Sequence, residues 1–361
     1  MGAVSKKFNI LDNNAGGDGS ADKNKIVLRT RVSLARNFTD KKFVSTSSNE
    51  EKRSLLEEVK KHIENAKNFK DFKFYRIKEL KKLQRDLLFR DYMIDTEISG
   101  KMQGSGLFAR NGLNGAGITA IIVNNEDHIN IQSVCPGLNI YKAYDEVAKI
   151  EKYYEKKFNF AFDKDLGYLT ASPFNLGTAL RVTAIAHLPV LSLSSGISDL
   201  LKRMGKIGCQ IKGYFIDSPE AAGNLFEIFN QYTLGKDEKE ILDITNLICL
   251  NIAEEEKSAR DQLKKKDLLG IKDNVCRSFG LLKYAKILSY EESVELLSIM
   301  KIGKDLDIIE GVNDFDFFRL MDKISNSRII VDMEIGGKID SDYIDSIRAG
   351  IIRKEIMKEA G

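Results

Sequence analysis

The chain has 361 residues, enough for more than one domain, with 43% hydrophobic and 30% charged residues, the balance of an ordinary globular protein rather than a disordered or membrane-embedded one. A net charge of +3 is too small to drive nucleic-acid binding. The N-terminus shows no apolar signal-like segment, and no run of 18 apolar residues offers a membrane span.

The four cysteines, Cys135, Cys209, Cys249 and Cys276, are widely spaced with no CxxC pair, and the three histidines are too dispersed for a usual zinc set. Reduced thiols in a cytoplasmic protein are expected, with no metal site, nucleic acid or membrane as partner.

Residues 1–24, rich in Gly, Asn and Asp, predict a flexible N-terminal arm. IVLRTRVSLARN (26–37) opens the ordered body, and RTRV places Arg29 and Arg31 on one side of an extended segment. SNEEKRSLLEEVKKHIENAKNF (48–69) predicts a helix burying Leu55, Leu56, Val59, Ile63 and Ala66, and a second helical pattern covers Lys78–Tyr92. The lysines and arginines in excess over residues 51–90 read as a solvated face. The glycine-rich 100–117 turns more than once before the strand ITAIIVNN.

That strand runs into VNNEDHIN (123–130). Consecutive strand residues point to opposite faces, so Glu126, Asp127 and His128 cannot all face solvent if the segment stays extended. Either the strand ends there or one acid is held inside for chemistry. Residues 139–158 predict an amphipathic helix with Ile140, Tyr144, Val147, Ala148, Tyr154 and Phe158 inward. NLGTALR (175–181) reads as a small-residue turn ahead of a helix with Arg181 one turn in, an arrangement that offers N–H groups and a guanidinium to an anion. A helix near 195–206, the strand CQIKGYFID, and a long helix over 236–267 follow. Helical periodicity then continues to the end, which predicts a separate α-helical module.

The order of IVLRTRVSLARN, VNNEDHINIQ, DKDLGYLTASPFNLGTALR, HLP, GNLFEIFNQYTLG, RSFGLL and IGKDLDIIEGV resembles the ATP:guanidino phosphotransferases, and within them the bacterial protein-arginine kinases. The resemblance implies an α+β fold: a mixed, largely antiparallel sheet flanked by helices in a catalytic domain at 25–258, then a helical C-terminal domain at 259–361 for dimerisation and phosphoarginine binding. It implies transfer of the γ-phosphoryl of ATP, carried with Mg2+, to arginine side chains of proteins, in a cytoplasmic homodimer with Clp-type unfoldase or protease machinery as a partner. Glu126 maps onto the catalytic base and Asp217 onto the second acid, which clamps the guanidinium. Arg31 and Arg181 match two of the family's five phosphate-binding arginines, Lys212 takes the place of a third, and Arg29 stands close enough in sequence to compensate. Asp345 and Arg348 in IDSIRA match part of a phosphoarginine pocket, with Ile344 where relatives have an arginine.

Several positions depart from the pattern. Ser33 and Asn130 stand where the remaining two phosphate-binding arginines belong, Asn125 replaces an acid, Ser172 a cysteine and Tyr92 a histidine. These substitutions imply a second reading: a catalytically degenerate relative that binds phosphoarginine or nucleotide, or serves as an adaptor in protein degradation. A small-molecule phosphagen kinase ranks behind both, because the C-terminal module is of the bacterial type.

Overall fold

The computed structural model describes residues 26–90, 93, 103–111, 117–193, 196–214, 222–336 and 340–357. In chain order the elements are β1 (Val27–Arg36), α1 (Asn49–Asn65), β2 (Lys73–Arg76), α2 (Lys82–Arg90), β3 (Gly106–Asn111), β4 (Ile118–Val123), β5 (Ile129–Pro136) and α3 (Ile140–Glu155). There follow β6 (Phe162–Asp163), β7 (Gly167–Tyr168), β8 (Leu180–His187), α4 (Pro189–Leu193), α5 (Gly196–Lys206), β9 (Cys209–Gly213) and β10 (Leu225–Asn230). The rest is helical: α6 (Glu238–Lys266), α7 (Leu268–Tyr284), α8 (Tyr290–Asp305), α9 (Phe317–Lys323), α10 (Asn326–Asp332) and α11 (Ser341–Ile356).

Eight strands form one sheet in the order β2-β3-β4-β5-β1-β8-β10-β9, and β6 and β7 form a small antiparallel pair. From β2 to β1 every pairing is antiparallel. The chain divides into two compact units that interleave in sequence. The first takes the chain up to Ala184 with Met204–Gln210 and Ile228–Cys249; the second takes Ile185–Arg203, Ile211–Glu227 and the chain from Leu250 onward.

In the first unit the period-2 pattern of the strands sorts two faces. Val32 and Leu34 of β1, Ile129, Ile131 and Cys135 of β5 and Leu180 and Val182 of β8 bury against α1 and α3. Helix α1 forms where its sequence asks for it. Ser48 accepts from the Glu51 N–H while the Glu51 carboxylate accepts from the Ser48 N–H, a capping box, and Leu55, Leu56, Val59 and Ile63 then fall on the buried stripe. On α3 the buried stripe is Ile140, Ala143, Val147, Ile150 and Tyr154, with Tyr144 and Ala148 only half-buried. On the opposite sheet face Leu107, Ala109, Ile118, Ala120 and Ile122 pack with Ile77 and Leu88.

In the second unit the boundaries of successive helices are written in their caps. Asp267, Ser289, Asp316, Ser325 and Asp340 each accept a backbone N–H from the first turn that follows. Helices α7 and α8 pack against each other, with Val275, Leu282, Val294, Leu297 and Met300 buried, and Gly303 is required there because a Cβ would sit 2.5 Å from Val275 Cγ1. No helix among the described residues is long and apolar enough to cross a membrane.

Three local expectations are corrected. The segment after NLGTA is a strand rather than a helix: β8 begins at Leu180, so Arg181 is its second residue and no helix N-terminus lies beside it. LRVTAIAH is buried at nearly every position, and a segment of eight residues is too short for its pattern alone to separate strand from helix. Between the two predicted N-terminal helices stands β2, and the glycine-rich stretch contains β3. The second helix is shorter than its pattern, α2 following a 3-10 turn at Ile77–Glu79, and Tyr92 lies outside the described residues.

Candidate active site

The antiparallel register of β1 and β5 sets Ser33 opposite Gln132 and Ala35 opposite Asn130. Arg31, Ser33 and Ala35 therefore share a face with Asn130, the face turned away from the apolar layer beneath α1 and α3. Beside β1 in the sheet lies β8, which brings Arg181. Together these residues line a cavity of about 490 Å³ with Asn125 and Glu126 of the β4–β5 hairpin, Ser172, Phe174 and Asn175 of the preceding turn, and Phe229 of β10.

The strand does end at VNNEDHIN. β4 stops at Val123, and Asn124 takes a left-handed φ of 54°, a conformation its short amide tolerates. Its side chain donates to the carbonyls of Lys52 and Gly104, at 2.8 and 2.6 Å, which pins the turn. The acid held inside is Asp127. Its Oδ1 accepts from Asn37 Nδ2 at 2.6 Å and from the Ala171 N–H at 2.7 Å. Burial raises its pKa, an effect opposed by those two donors. Asp127 thus fastens the hairpin to the turn that carries Ser172, leaving Glu126 exposed at the cavity.

His128 is framework. Its Nδ1 accepts from the Phe38 N–H at 2.9 Å, its Nε2 is 2.7 Å from the Lys42 carbonyl, and its backbone N–H donates to Asn37 Oδ1. An acceptor role at Nδ1 and a donor role at Nε2 require the neutral ring, and burial lowers the pKa accordingly.

Arg181 donates through Nη2 to Asn175 Oδ1 at 3.4 Å, and its Cζ lies 5.4 Å from the centre of the Phe229 ring, a cation–π support. Behind this wall Arg36 is completely buried. It donates to the carbonyls of Ala35 and Thr178 at 2.8 and 2.9 Å and to Glu151 Oε1 at 2.7 Å, with its Cζ 3.5 Å from the Tyr168 ring centre. The turn leading into β8 is therefore held from inside. Gly177 has φ 101°, and a Cβ there would lie 2.3 Å from the Thr233 carbonyl oxygen, so only glycine fits.

Of the residues singled out in the sequence, Glu126, Arg31 and Arg181 come together in this cavity, and so do the substituted positions Ser33, Asn125, Asn130 and Ser172. Arg29 shares the strand with Arg31 but lies outside the lining. Lys212 is on β9 in the second unit, its Nζ 2.9 Å from Glu227 Oε2. Asp217 falls outside the described residues. Arg348 on α11 is fully buried: it donates to the carbonyls of Ile324 and Leu288 at 2.8 and 2.7 Å and to the side chains of Asp345 and Asn326. Sequence reasoning missed Asn37, Arg36, Phe174 and Phe229; the run LARN gave only a strand signal. No cluster of three or more His, Cys, Asp or Glu able to hold a metal ion occurs among the described residues.

A family model described as the ATP:guanido phosphotransferase C-terminal catalytic domain matches residues 54–259, and one described as the protein-arginine kinase McsB C-terminal domain matches residues 269–360. A protein-arginine kinase of Pelotomaculum thermopropionicum is 32% identical over 341 residues, 94% of each chain. One from Bacillus cereus (strain B4264) is 33% identical over 344 residues, 94% of this chain and 95% of that one. Among solved structures, the duplicated taurocyamine kinase of Schistosoma mansoni with bound transition-state-analogue components superposes with a TM-score of 0.57 at 23% identity, over 67% of this chain and 34% of that one. Lombricine kinase does so with a TM-score of 0.55 at 19% identity, over 65% and 67%. The two structures share the fold, and the chain spans about a third of the duplicated one. With its catalytic-domain match covering more than half the chain and relatives aligned over nearly all of it, the chain belongs to the ATP:guanido phosphotransferase family.

Proposed function

We propose that the chain is a protein-arginine kinase-like phosphotransferase, moving the γ-phosphoryl of ATP to arginine side chains of proteins. The observation that carries this is one cavity holding two guanidinium groups, Arg31 and Arg181, beside one exposed carboxylate, Glu126. At about 490 Å³ it is in the range of small-molecule sites. Arg31 and Arg181 meet the phosphates, and Mg2+ carried by the nucleotide would supply further neutralisation of their charge. Glu126 orients the acceptor guanidinium, with Asp217 as the second acid. As the N–P bond forms and the bond from Pγ to the ADP oxygen breaks, the proton of the attacking nitrogen passes to Glu126. Phosphoryl transfer asks mainly for position and charge, and the grouping of Arg31, Arg181 and Glu126 in one cavity supports that reading.

Arg29 and Lys212 complete the proposed nucleotide set, Lys212 on leaving Glu227. A phosphoarginine role for Asp345 and Arg348 requires Arg348 to surrender the acceptors it now satisfies. We assign 25–258 to catalysis and 259–361 to a dimerising module. Leu269, Cys276 and Tyr284 support the homodimer: they lie exposed along one side of α7, opposite the buried Ile271, Val275 and Leu282. Cytoplasmic residence and Clp-type partners complete the proposal, the former supported by cysteines that are all unbridged.

Incubation with γ-labelled ATP and an arginine-rich protein tests the activity; acid-labile label on the acceptor is expected, and Glu126→Gln should abolish it while leaving nucleotide binding nearly intact. Transfer undiminished in Glu126→Gln removes the base assignment. Nucleotide binding with no transfer from the wild type supports the degenerate reading, which Ser33, Asn125, Asn130 and Ser172 in the cavity favour.

A further inference from the structure

The first unit holds a second, larger cavity of about 820 Å³, lined by Tyr141, Tyr144, Phe162, Tyr168, Leu234 and Leu242 among others. Three of these leave much apolar surface in water: Phe162 is 61% exposed, Leu234 50% and Tyr141 45%. Five carboxylates line the same cavity, those of Asp145, Asp165, Asp237, Glu238 and Asp243, against the two lysines Lys236 and Lys239. Lys236 is already drawn to Glu240, at 3.4 Å. Asp145 and Asp165 are exposed at the surface. Aromatic rings beside carboxylates suit a cationic side chain with an apolar neighbour, and disfavour a nucleotide.

The two cavities share a wall. Gly177 and Thr178 line the larger one, while Asn175 and Ala179 line the active-site cavity. Thr233, next to Leu234, donates its hydroxyl to the carbonyls of Phe174 and Leu176, at 3.2 and 2.6 Å. Phe174 itself lines the active-site cavity and is 81% exposed. Phe174, exposed at the active-site cavity, and Leu234, exposed at the larger one, are therefore tied together through the Thr233 hydroxyl.

We propose that the larger cavity is a docking groove for the polypeptide flanking the target arginine, selecting segments that carry lysine or arginine beside an apolar side chain. This rests on the reading of the chain as a protein-arginine kinase. Glu238 already pairs with Arg36 and Asp243 accepts from the Tyr141 hydroxyl, so the exposed Asp145 and Asp165 carry the charge complementary to a basic segment; the volume exceeds that of the cavity assigned to the chemistry. A free arginine derivative does not reach the groove and gains nothing from it.

The test uses the full chain and a fluorescent peptide with citrulline at the acceptor position and lysine and phenylalanine in the flank, read by anisotropy without ATP. Binding should weaken at least tenfold when the flank is changed to glutamate and serine, and equally in Asp145→Asn/Asp165→Asn/Phe162→Ser. It should also weaken as salt is raised. The charge-only pair Asp145→Asn/Asp165→Asn serves if Phe162→Ser lowers the melting temperature. With arginine restored in the peptide and ATP added, KM should rise at least tenfold in the variant at unchanged kcat, while arginine amide is phosphorylated as before. Peptide binding and KM indifferent to both flank and variant would overturn the groove while leaving the kinase reading intact. Flank-dependent binding with no phosphorylation of any acceptor would uphold the groove and remove the kinase reading.

Discussion

Ser33 and Asn130 occupy one face of the β1–β5 ladder, on diagonal positions of the register, where the family resemblance puts phosphate-binding arginines. Diagonal neighbours have Cα atoms roughly 7–8 Å apart. Two guanidiniums placed there by Ser33→Arg with Asn130→Arg would repel by about 0.6 kcal/mol at the dielectric constant of water and about 2.4 kcal/mol at an effective value of 20. Asn130 is half-buried and Ser33 is 5% exposed, so an intermediate cost of about 1 kcal/mol is expected without nucleotide, or roughly 2–4 °C in melting temperature. A triphosphate reverses the sign. Each charge-assisted hydrogen bond gained is worth about 1.5–3 kcal/mol, and a tenfold tighter complex adds about 1.4 kcal/mol at saturation. The double variant should therefore melt below the wild type alone and above it with saturating ATP. Its phosphoryl transfer should rise at least tenfold, a modest gain beside the ~10²–10³ attached to a single transition-state donor, because Asn125 and Ser172 remain. Differential scanning fluorimetry with and without Mg-ATP, alongside acid-labile label transfer, reads both effects. A wild type already fast, with no gain in the variant, would refute the reasoning and direct attention to Arg29. A folded variant that binds no nucleotide would show that these positions do not face the phosphates.

Asp127→Ala removes two buried hydrogen bonds to a carboxylate and should cost about 3 kcal/mol, with a fall of about 10² in rate as the Ser172 turn loses its anchor. Asp127→Asn keeps an acceptor oxygen for both donors and should stay within about 1 kcal/mol of wild type by urea titration; an equal loss in both would remove the anchoring role. Arg348→Ala leaves two carbonyls and two side chains without their donor, and should destabilise by about 3–5 kcal/mol, read as accelerated trypsin cleavage of the C-terminal helices. An unchanged melting temperature there would contradict a structural role for these hydrogen bonds. His187 is fully buried, with Nδ1 3.2 Å from Arg260 Nη2 and Nε2 2.7 Å from Ser298 Oγ, and burial together with the nearby cations Arg260 and Lys301 holds its pKa well below 6.5. A depressed folded-state pKa means that the unfolded chain binds the proton first. Its contribution is present above pH 6.5 and is lost as pH falls toward the folded-state value, at up to about 1.4 kcal/mol per pH unit. His187→Gln should flatten that limb of the stability curve, and an unaltered slope would contradict the assignment.

How far the sequence could be read depended on whether a residue's partners were local. The buried stripe of α1 and the extended segment that carries Arg29 and Arg31 depend on contacts within a few residues, and they stand in the structure where their spacing puts them. The site motifs were visible because they keep a family order along the chain. What they meet in space was not. Asp127 reads as one more acid in a charged turn until Asn37 and Ala171, 90 and 44 positions away, are folded onto it. Nothing near Arg348 in the sequence marks it as buried; only the packing of α11 brings the Ile324 and Leu288 carbonyls onto its guanidinium. Arg181 stands in a segment of eight residues that suits either helix or strand, and only the neighbouring strands in the sheet decide. Periodicity, caps and charge are properties of the chain and fix its elements. Burial and pairing come from distant segments, and they alone separate Asp127, the acid that holds the hairpin, from Glu126, the acid exposed at the cavity.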